Sequence, residues 1–233
     1  MFKQIVTASF CGWWFCCAPA RAEASLTAQE TRWLRAAGPV LAFSQRHQLP
    51  IDIIVQPTAG PGDVPMAIGF DGQRCKLVLS LRGNPQAEAI LDGVAEAARG
   101  AAVEAIAAHE IGHCWRYVHG VWHALPAGFV NAGRHMADGG VVAAKTQTTR
   151  QSRREEGFAD LVALAWTQRN HPQHYATVID WLVSVRATQP ADQGAHDTLV
   201  WIGLARDPGA FERTGTPFDA AASLWRKGLL IND

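Results

Sequence analysis

The chain has 233 residues, of which 48% are apolar and 18% are charged. Because 21 Lys and Arg balance 21 Asp and Glu, its formal net charge is zero. This composition is typical of a globular protein and excludes a disordered tail, a collagen-like repeat and a small disulfide-rich scaffold. A neutral chain also gives no electrostatic reason to expect nucleic acid or an anionic membrane as a partner.

Residues 1–22 have the features of a secretory signal peptide. Lys3 gives the segment a positive start, a mostly apolar stretch follows, and Ala20-Arg21-Ala22 fits the small-x-small pattern of a cleavage site. We therefore expect a periplasmic or secreted protein in which residues 23–233 form a single domain. No later apolar run is long enough to cross a bilayer, so we expect no stable membrane insertion after cleavage.

Two cysteines, Cys75 and Cys114, lie in residues 23–233. An oxidising compartment would allow them to form a disulfide. Two buried thiols are the alternative, and the sequence does not choose between the two.

The first half of the chain is predicted to contain a helix followed by a small sheet. Apolar residues at helical spacing predict a helix over residues 23–48, with Ser25 or Thr27 as its N-cap. Asp71-Gly72 is a strong signal for a hairpin. The predicted strands are residues 51–55, 66–70 and 75–81. Two Ala-rich helices are predicted next, over residues 88–99 and 101–118.

The second half is predicted to be mainly helical. Residues 120–149 contain Pro126 and five glycines, which predicts a long loop or irregular flap of the kind that often covers a functional site. Further helices are predicted at about residues 152–170, 174–188, 198–206 and 218–230. A helix, a small sheet and then several helices indicate an α+β fold.

The predicted helix 101–118 contains an H-E-x-x-H motif, His109-Glu110-Ile111-Gly112-His113. Residues four apart lie above one another on one helix face, so both imidazoles can bind one ion, which suits tetrahedral zinc. Glu110 lies next to the first histidine and is placed to take a proton from a zinc-activated water. The motif therefore predicts Zn²⁺ on His109 and His113, with Glu110 as general base.

A catalytic zinc usually has three protein ligands, and two residues compete to be the third. His119 lies at the third-ligand position of the metzincin pattern, but Arg116 stands where that pattern needs a glycine for a sharp turn. Glu156 lies four residues before Asp160, so the two carboxylates can face the same way. Asp160 could then accept the N–H of a ligating histidine and fix its tautomer. Glu155 has no such partner four residues on, and we favour Glu156 over His119.

The H-E-x-x-H motif, followed about forty residues later by Glu156-x-x-Ala159-Asp160, resembles the gluzincin metallopeptidases. The E-x-x-A-D form is similar to that of the membrane-bound heat-shock and prenyl-protein endopeptidases, and the spacing is similar to that of a compact minigluzincin. The resemblance covers residues 66–166 and does not include that family's transmembrane helices. It implies a zincin fold with an antiparallel sheet above an active-site helix, and residues 75–81 as the edge strand beside the cleft.

In thermolysin-like enzymes a downstream histidine stabilises the oxyanion, and the resemblance implies His196 for that role. The alternative is that Asp197 caps a helix and that His196 is an ordinary surface neighbour. The sequence leaves these two possibilities open.

The expected function is that of an exported zinc peptidase, most simply an endopeptidase, which acts on a peptide or protein substrate. The alternative is a catalytically silent zinc-binding pseudo-peptidase that acts as a binding or assembly factor. The intact Glu110 favours catalysis, since a degenerate site need not keep its base. The sequence does not reveal the substrate or the oligomeric state.

Overall fold

The computed structural model describes residues 25–130, 140–188, 191–211 and 215–232. The predicted signal peptide, residues 1–22, lies outside them. Within the described ranges no helix is both long and apolar enough to cross a membrane. The protein has the predicted α+β class. In chain order the helices and strands are α1 (Ala28–Arg46), β1 (Ile51–Val55), β2 (Met66–Phe70), β3 (Cys75–Leu79), α2 (Gln86–Ala89), α3 (Glu96–Val118), α4 (Gly140–Asn170), α5 (Tyr175–Ala187), α6 (Leu199–Leu204) and α7 (Pro217–Asn232).

Helix α1 begins at a capping box formed by Thr27 and Glu30. The Thr27 hydroxyl accepts the backbone N–H of Glu30 at 3.1 Å, and the Glu30 carboxylate accepts the N–H of Thr27 at 2.7 Å. Arg82 donates its Nε to the same carboxylate at 2.6 Å, and this hydrogen bond lowers the pKa of Glu30 although the side chain is buried. The contact joins the start of α1 to the chain that follows the sheet.

The sheet is mixed, so the prediction of an antiparallel sheet is wrong for one of its two strand pairs. β2 and β3 form the predicted antiparallel hairpin, with Met66 opposite Leu79. β1 instead runs parallel to β3, and the strand order is β1-β3-β2. β3 takes the central place because Cys75, Leu77 and Leu79 have no exposed surface, whereas β1 exposes two isoleucines.

β2, rather than the predicted strand 75–81, is therefore the edge strand that lies against α3. The carbonyl of Pro65, just before β2, accepts a backbone N–H at 3.0 Å from the residue that follows β3. Backbone groups of successive residues in an antiparallel strand point to alternate sides. Those of Met66 and Ile68 consequently point away from β3, toward the free edge of the sheet.

One long helix, α3, replaces the two predicted helices 88–99 and 101–118. After the short helix α2 the chain makes turns, and Gly93 adopts φ = +79°, a conformation that glycine reaches without strain. The prediction over 88–99 is therefore wrong, because the Ala-rich composition conceals this interruption. The 23 residues of α3 then run without a break through the H-E-x-x-H motif.

Helix α4 begins at Gly140, so the predicted loop over 120–149 is wrong in its last ten residues. All five glycines of that stretch lie at or before residue 140, and neither Gly nor Pro follows until Gly157. The breaker residues are thus concentrated in the first part of the predicted loop. Residues 131–139, the middle of the predicted flap, lie outside the described part of the chain.

Helices α3 and α4 pack closely where Gly112 meets Ala159. A Cβ on Gly112 would lie 3.2 Å from the Cα of Ala159, so glycine at this point allows the two backbones to approach.

A disulfide between Cys75 and Cys114 ties β3 to α3, which settles the pairing that the sequence left open. Because the two cysteines are 39 residues apart, the cross-link is expected to stabilise the fold by about 4 kcal/mol through loss of chain entropy.

The last three helices close over α4. α5 carries Arg186 near its end, and Thr198 directly precedes α6. Trp201 of α6 is 1% exposed and packs so tightly that a Cβ on either Gly157 or Gly228 would collide with its ring. This packing fixes α6 on the same face of α4 that presents the polar residues described next.

Candidate metal centre

Helix α3 brings His109 and His113 together on one face, as their spacing predicts. Their Nε2 atoms lie 3.1 Å apart, and the rings meet edge to face with centroids 4.7 Å apart. His113 is 6% exposed. Two imidazole nitrogens that converge in this way are typical of a pair that shares one metal ion.

Glu156 reaches the two histidines from α4. Its Oε2 lies 3.4 Å from Nε2 of His109, and its Oε1 lies 3.3 Å from Nε2 of His113. The three side chains form a cluster that could hold a metal ion. Zinc with ligand distances of about 2.0–2.1 Å in a tetrahedron requires ligand atoms about 3.3–3.4 Å apart. The two carboxylate contacts, one through each oxygen of Glu156, have this length, and one ligand atom from each of the three side chains lies within 4.8 Å of the other two.

His119, the alternative third ligand, lies outside the cluster. α3 continues through Arg116 to Val118 without the sharp turn that would bring His119 back to the ion. The His119 ring is exposed, stacks on Trp115 at 4.4 Å, and places its Nδ1 2.8 Å from the Trp115 carbonyl. Of the two candidates, Glu156 is the one that meets the histidines.

Asp160 lies one helical turn after Glu156 and is fully buried beneath the cluster. Its Oδ1 is 2.9 Å from Nδ1 of His109, so it can accept that N–H and leave Nε2 free to bind a metal. Arg186 donates to both carboxylate oxygens, at 2.9 and 2.6 Å, and Thr198 donates its hydroxyl at 2.5 Å. Asp160 is thereby held in one orientation by three different segments of the chain.

Sequence reasoning missed Arg186 and Thr198. Arg186 is the one basic residue of the mainly apolar helix α5, and it also donates to Glu156 at 3.2 Å. A single cation on an apolar helix could have drawn attention to it. Thr198 carried no comparable signal, since a threonine before a helix is ordinarily an N-cap. Its hydroxyl bonds to Asp160 instead of capping α6.

The two histidines differ in how they are held. The buried Nδ1 of His113 has no hydrogen-bond partner among the described residues. The Trp122 ring meets the His113 ring at 5.5 Å with an interplanar angle of 72°. Packing therefore orients His113, whereas a carboxylate orients His109.

Negative charge exceeds positive charge in this cluster. With neutral imidazoles, the carboxylates of Glu110, Glu156 and Asp160 face the single guanidinium of Arg186, which leaves a net charge of −2 when all three are ionised. Burial opposes a charged His109, yet its contacts with Asp160 and Glu156 outweigh that effect and raise its pKa to about 10. Without a metal, a proton on His109 thus supplies part of the missing positive charge.

The pKa values of Glu156 and Asp160 shift in the opposite direction to that of His109. Burial favours the neutral form of Glu156 and Asp160, but neighbouring positive groups prevail and hold the pKa of each carboxyl below its usual range. These groups are His109 and His113 for Glu156, and Arg186 and His109 for Asp160. Burial, by contrast, raises the pKa of Glu110. Glu110 is therefore the acid of the cluster that accepts a proton more readily than Glu156 or Asp160.

Glu110 faces the edge strand β2. The backbone N–H of Ile68, one of the groups that point to the free edge of the sheet, lies near the Glu110 carboxylate and partly opposes the rise of its pKa. A cavity of about 590 Å³ opens between β2, the two histidines and α5, and Glu110 lines it. An extended chain in this cavity would lie beside the strand edge, the metal cluster and the candidate base.

His196 also lines the cavity, at the end of a single 3₁₀ turn over Ala191–His196. Its Nε2 is 3.6 Å from Oε2 of Glu156, and burial lowers its pKa. Asp197 does not provide the cap that was the alternative explanation for this segment, since Thr198 takes the N-cap position of α6. The structure thus places His196 beside the candidate ligands.

Glu155 has a partner that the sequence spacing did not indicate. It forms a buried ion pair with Arg116 of α3, the residue at the metzincin glycine position. Arg116 also donates to the carbonyls of Val121 and Ala124 at 2.7 and 2.9 Å, and Glu155 accepts the N–H of His123 at 2.8 Å. The pair fixes the chain that leaves α3. It lies next to the cluster of His109, His113 and Glu156 without belonging to it.

No protein-family model, curated protein or solved structure matches this chain. The functional conclusion therefore rests on the arrangement of these side chains.

Proposed function

We propose that the protein is an exported zinc-dependent peptidase of zincin-like architecture. The observation that carries the proposal is the cluster of His109, His113 and Glu156 beside Glu110, in which one ligand atom from each of the three side chains lies within 4.8 Å of the other two. With neutral imidazoles and three ionised carboxylates beside Arg186, the cluster would have a net charge of −2, which suits a divalent cation because burying unbalanced carboxylates is costly. The E-x-x-A-D motif and the position of Asp160 add the resemblance to gluzincins.

In the proposed site, zinc would polarise the scissile carbonyl and activate the attacking water. Glu110 accepts the proton of that water and delivers it to the leaving amine, a task that its raised pKa favours. Asp160 holds His109 with Nε2 directed at the ion, and Arg186 keeps Asp160 ionised. His196 donates a hydrogen bond to the developing oxyanion.

The edge of β2 supplies the backbone contacts for a peptide substrate. Met66 and Ile68 present their backbone groups to the cavity side, where an extended peptide adds to the sheet by hydrogen bonds. Because Glu110 lies against Ile68, a peptide bound there places its backbone next to the base. The strand edge beside the cleft is thus β2 in this proposal, one strand away from the one that the sequence indicated.

The first test is cleavage of a mixed peptide library by the zinc-loaded protein, with Glu110→Gln alongside. We expect one zinc per chain in both proteins, and cleavage by Glu110→Gln that is about 10²–10⁴-fold slower, since general acid–base catalysis contributes about that factor. Normal cleavage by Glu110→Gln would contradict the mechanism. Firmly bound zinc with no cleavage by the wild type would instead favour the non-catalytic zinc-binding protein.

The second test concerns His196. We expect His196→Ala to lower kcat about 10²–10³-fold, the usual cost of removing one oxyanion donor, and to leave zinc content unchanged. A lost zinc ion in this variant would show that His196 supports the ligands and has no catalytic role. His174→Ala, which alters a histidine in the turn before α5, is the matched control and should retain full activity.

A further inference from the structure

The cavity has a second apolar wall, which the proposed chemistry does not use. Tyr117, in the last turn of α3, stacks on Trp122 with ring centroids 3.9 Å apart and on Phe70 of β2 at 5.2 Å. Tyr117 and Trp122 both line the cavity. We call Phe70, Tyr117 and Trp122 the aromatic wall.

The aromatic wall and a second apolar part of the same cavity lie on opposite sides of the candidate ligands. Ile106 of α3 and Trp181 of α5 line the cavity before His109, whereas Tyr117 follows His113 by one turn. From residue 106 to residue 117, α3 advances about 16 Å at about 1.5 Å per residue. An extended peptide rises about 3.3 Å per residue, so about five residues span that length.

Strand β2 runs along the same line. The backbone N–H of Ile68 lies near Glu110, and Phe70, two residues later, stacks on Tyr117. The free edge of β2 and the axis of α3 therefore advance in the same direction. A peptide added to this edge has the metal cluster at its middle, the pocket of Trp181 on one side and the aromatic wall on the other.

The fold holds the aromatic wall rigidly. Trp122 belongs to a loop whose carbonyls at Val121 and Ala124 bind the buried Arg116. The next residue, His123, donates its N–H to Glu155 and adopts φ = +59°, a conformation that is unfavourable for a residue with a Cβ. The Arg116–Glu155 ion pair and the strained His123 thus hold Trp122 beside His113. A wall that is already in position binds a ligand with less loss of conformational entropy.

We propose that the aromatic wall is a second specificity subsite, and that the substrate is an extended peptide with large apolar or aromatic side chains on both sides of the scissile bond. This inference rests on the proposed peptidase function. Tyr117 and Trp122 line the cavity, and aromatic side chains pack favourably against such rings in offset or edge-to-face contacts. No charged side chain belongs to the wall, so an acidic or basic residue at that position would lose hydration without gaining a partner.

The test is cleavage-site mapping by mass spectrometry on a mixture of synthetic decapeptides, with wild type, Trp122→Leu, Trp122→Phe and Trp181→Leu. We expect Trp122→Leu to lower the preference for aromatic residues about five- to tenfold on one side of the cleaved bond only. Trp122→Phe should restore that preference. Trp181→Leu should change the preference on the other side only. Tyr117→Leu probes the same wall from α3 if Trp122→Leu does not fold.

The possible outcomes separate the two proposals. Cleavage by the wild type with an unchanged pattern in Trp122→Leu and Tyr117→Leu would overturn the subsite and leave the peptidase intact. A change on both sides of the bond in either variant would also overturn it, because a general disturbance of the ligands would then be the cause. An absence of cleavage by zinc-loaded wild type would overturn the peptidase and, with it, the subsite.

Discussion

Two neighbouring glutamates in α4 have opposite surroundings. Glu155 and Glu156 are adjacent, and a helix turns by about 100° per residue, so their side chains leave α4 in different directions. Glu155 is 1% exposed and pairs with Arg116, which stacks over the rings of Phe158 and Trp225 at 5.0 and 4.5 Å. Glu156 instead faces two histidines and the cavity.

The difference lies in how each negative charge is balanced. Glu155 has a guanidinium and a backbone N–H close by, so its charge is compensated within the protein. Glu156 shares the guanidinium of Arg186 with Asp160, in a cluster that also contains Glu110. A compensated buried pair is suited to holding a loop, whereas a buried excess of carboxylates beside two imidazoles is suited to a metal ion. The predictions below test this contrast.

The largest expected effect is on stability. Glu155→Gln leaves Arg116 buried without its counter-charge, and the free energy of unfolding should fall by about 3–5 kcal/mol. Denaturant unfolding with and without zinc measures this. Glu155→Gln should still be stabilised by zinc, because the ligands are intact.

The matched variant is Glu156→Gln. It should lose the stabilisation by zinc, since an amide oxygen is a poor zinc ligand, while its metal-free stability changes far less than that of Glu155→Gln. If zinc stabilised both variants equally, Glu156 would not be a ligand.

The second prediction concerns pH. The pKa of His109 in the metal-free protein is raised to about 10, so its ring is protonated at neutral pH and must lose that proton before Nε2 can bind zinc. Zinc affinity should therefore rise as the pH increases, by about 100-fold between pH 6 and pH 8 for one displaced proton. Calorimetry in two buffers of different ionisation enthalpy should show about one proton released per zinc. A pH-independent affinity would contradict this.

The third prediction concerns the residue that orients His109. Asp160→Asn should weaken zinc binding about 10–100-fold, because the remaining amide neither orients nor polarises the imidazole as a carboxylate does. Competition with a chelator measures the change. Thr198→Val, which removes only the hydroxyl donor to Asp160, is the control and should lower the affinity less. Equal losses in the two variants would indicate a general loosening of the site.

The smallest expected effect is on the contact between α3 and α4. Gly112→Ala places a Cβ 3.2 Å from Ala159, and the resulting overpacking, partly offset by the better helix propensity of alanine, should cost about 1 kcal/mol. Gly100→Ala is the control in the same helix. Nothing lies within 4 Å of its Cβ, so it should stabilise the protein by about 0.5–1 kcal/mol. Thermal unfolding compares the two, and a stabilising Gly112→Ala would show that the helices do not depend on this approach.

Locally encoded features were predicted well. Thr27 at the start of α1 and Asp71-Gly72 between β2 and β3 act within a few residues, and the structure has the predicted cap and hairpin. The errors over 88–99 and 120–149 concern where helices begin. At the first of these places Gly93 interrupts the predicted helix, and at the second the absence of Gly and Pro after Gly140 allows α4 to begin early. The average composition of each stretch does not reveal such single positions.

The arrangement of strands could not be predicted in the same way. Alternating apolar residues identify a strand, but they do not state which neighbour it pairs with or in which direction. β3 became the central strand because its side chains are buried most completely in the assembled core. That choice moved the strand edge beside the cleft from residues 75–81 to β2.

The convergence of His109 and His113 follows from their spacing alone, since residues four apart lie on one face of a helix. That Glu156 rather than His119 meets them, that Arg186 and Thr198 hold Asp160, and that Glu155 pairs with Arg116 became visible once the helices were packed together. The physical reason is the range of the contacts. Helix periodicity is set by the local backbone, whereas these partners are brought together by the packing of separate helices, which leaves no periodic pattern in the sequence.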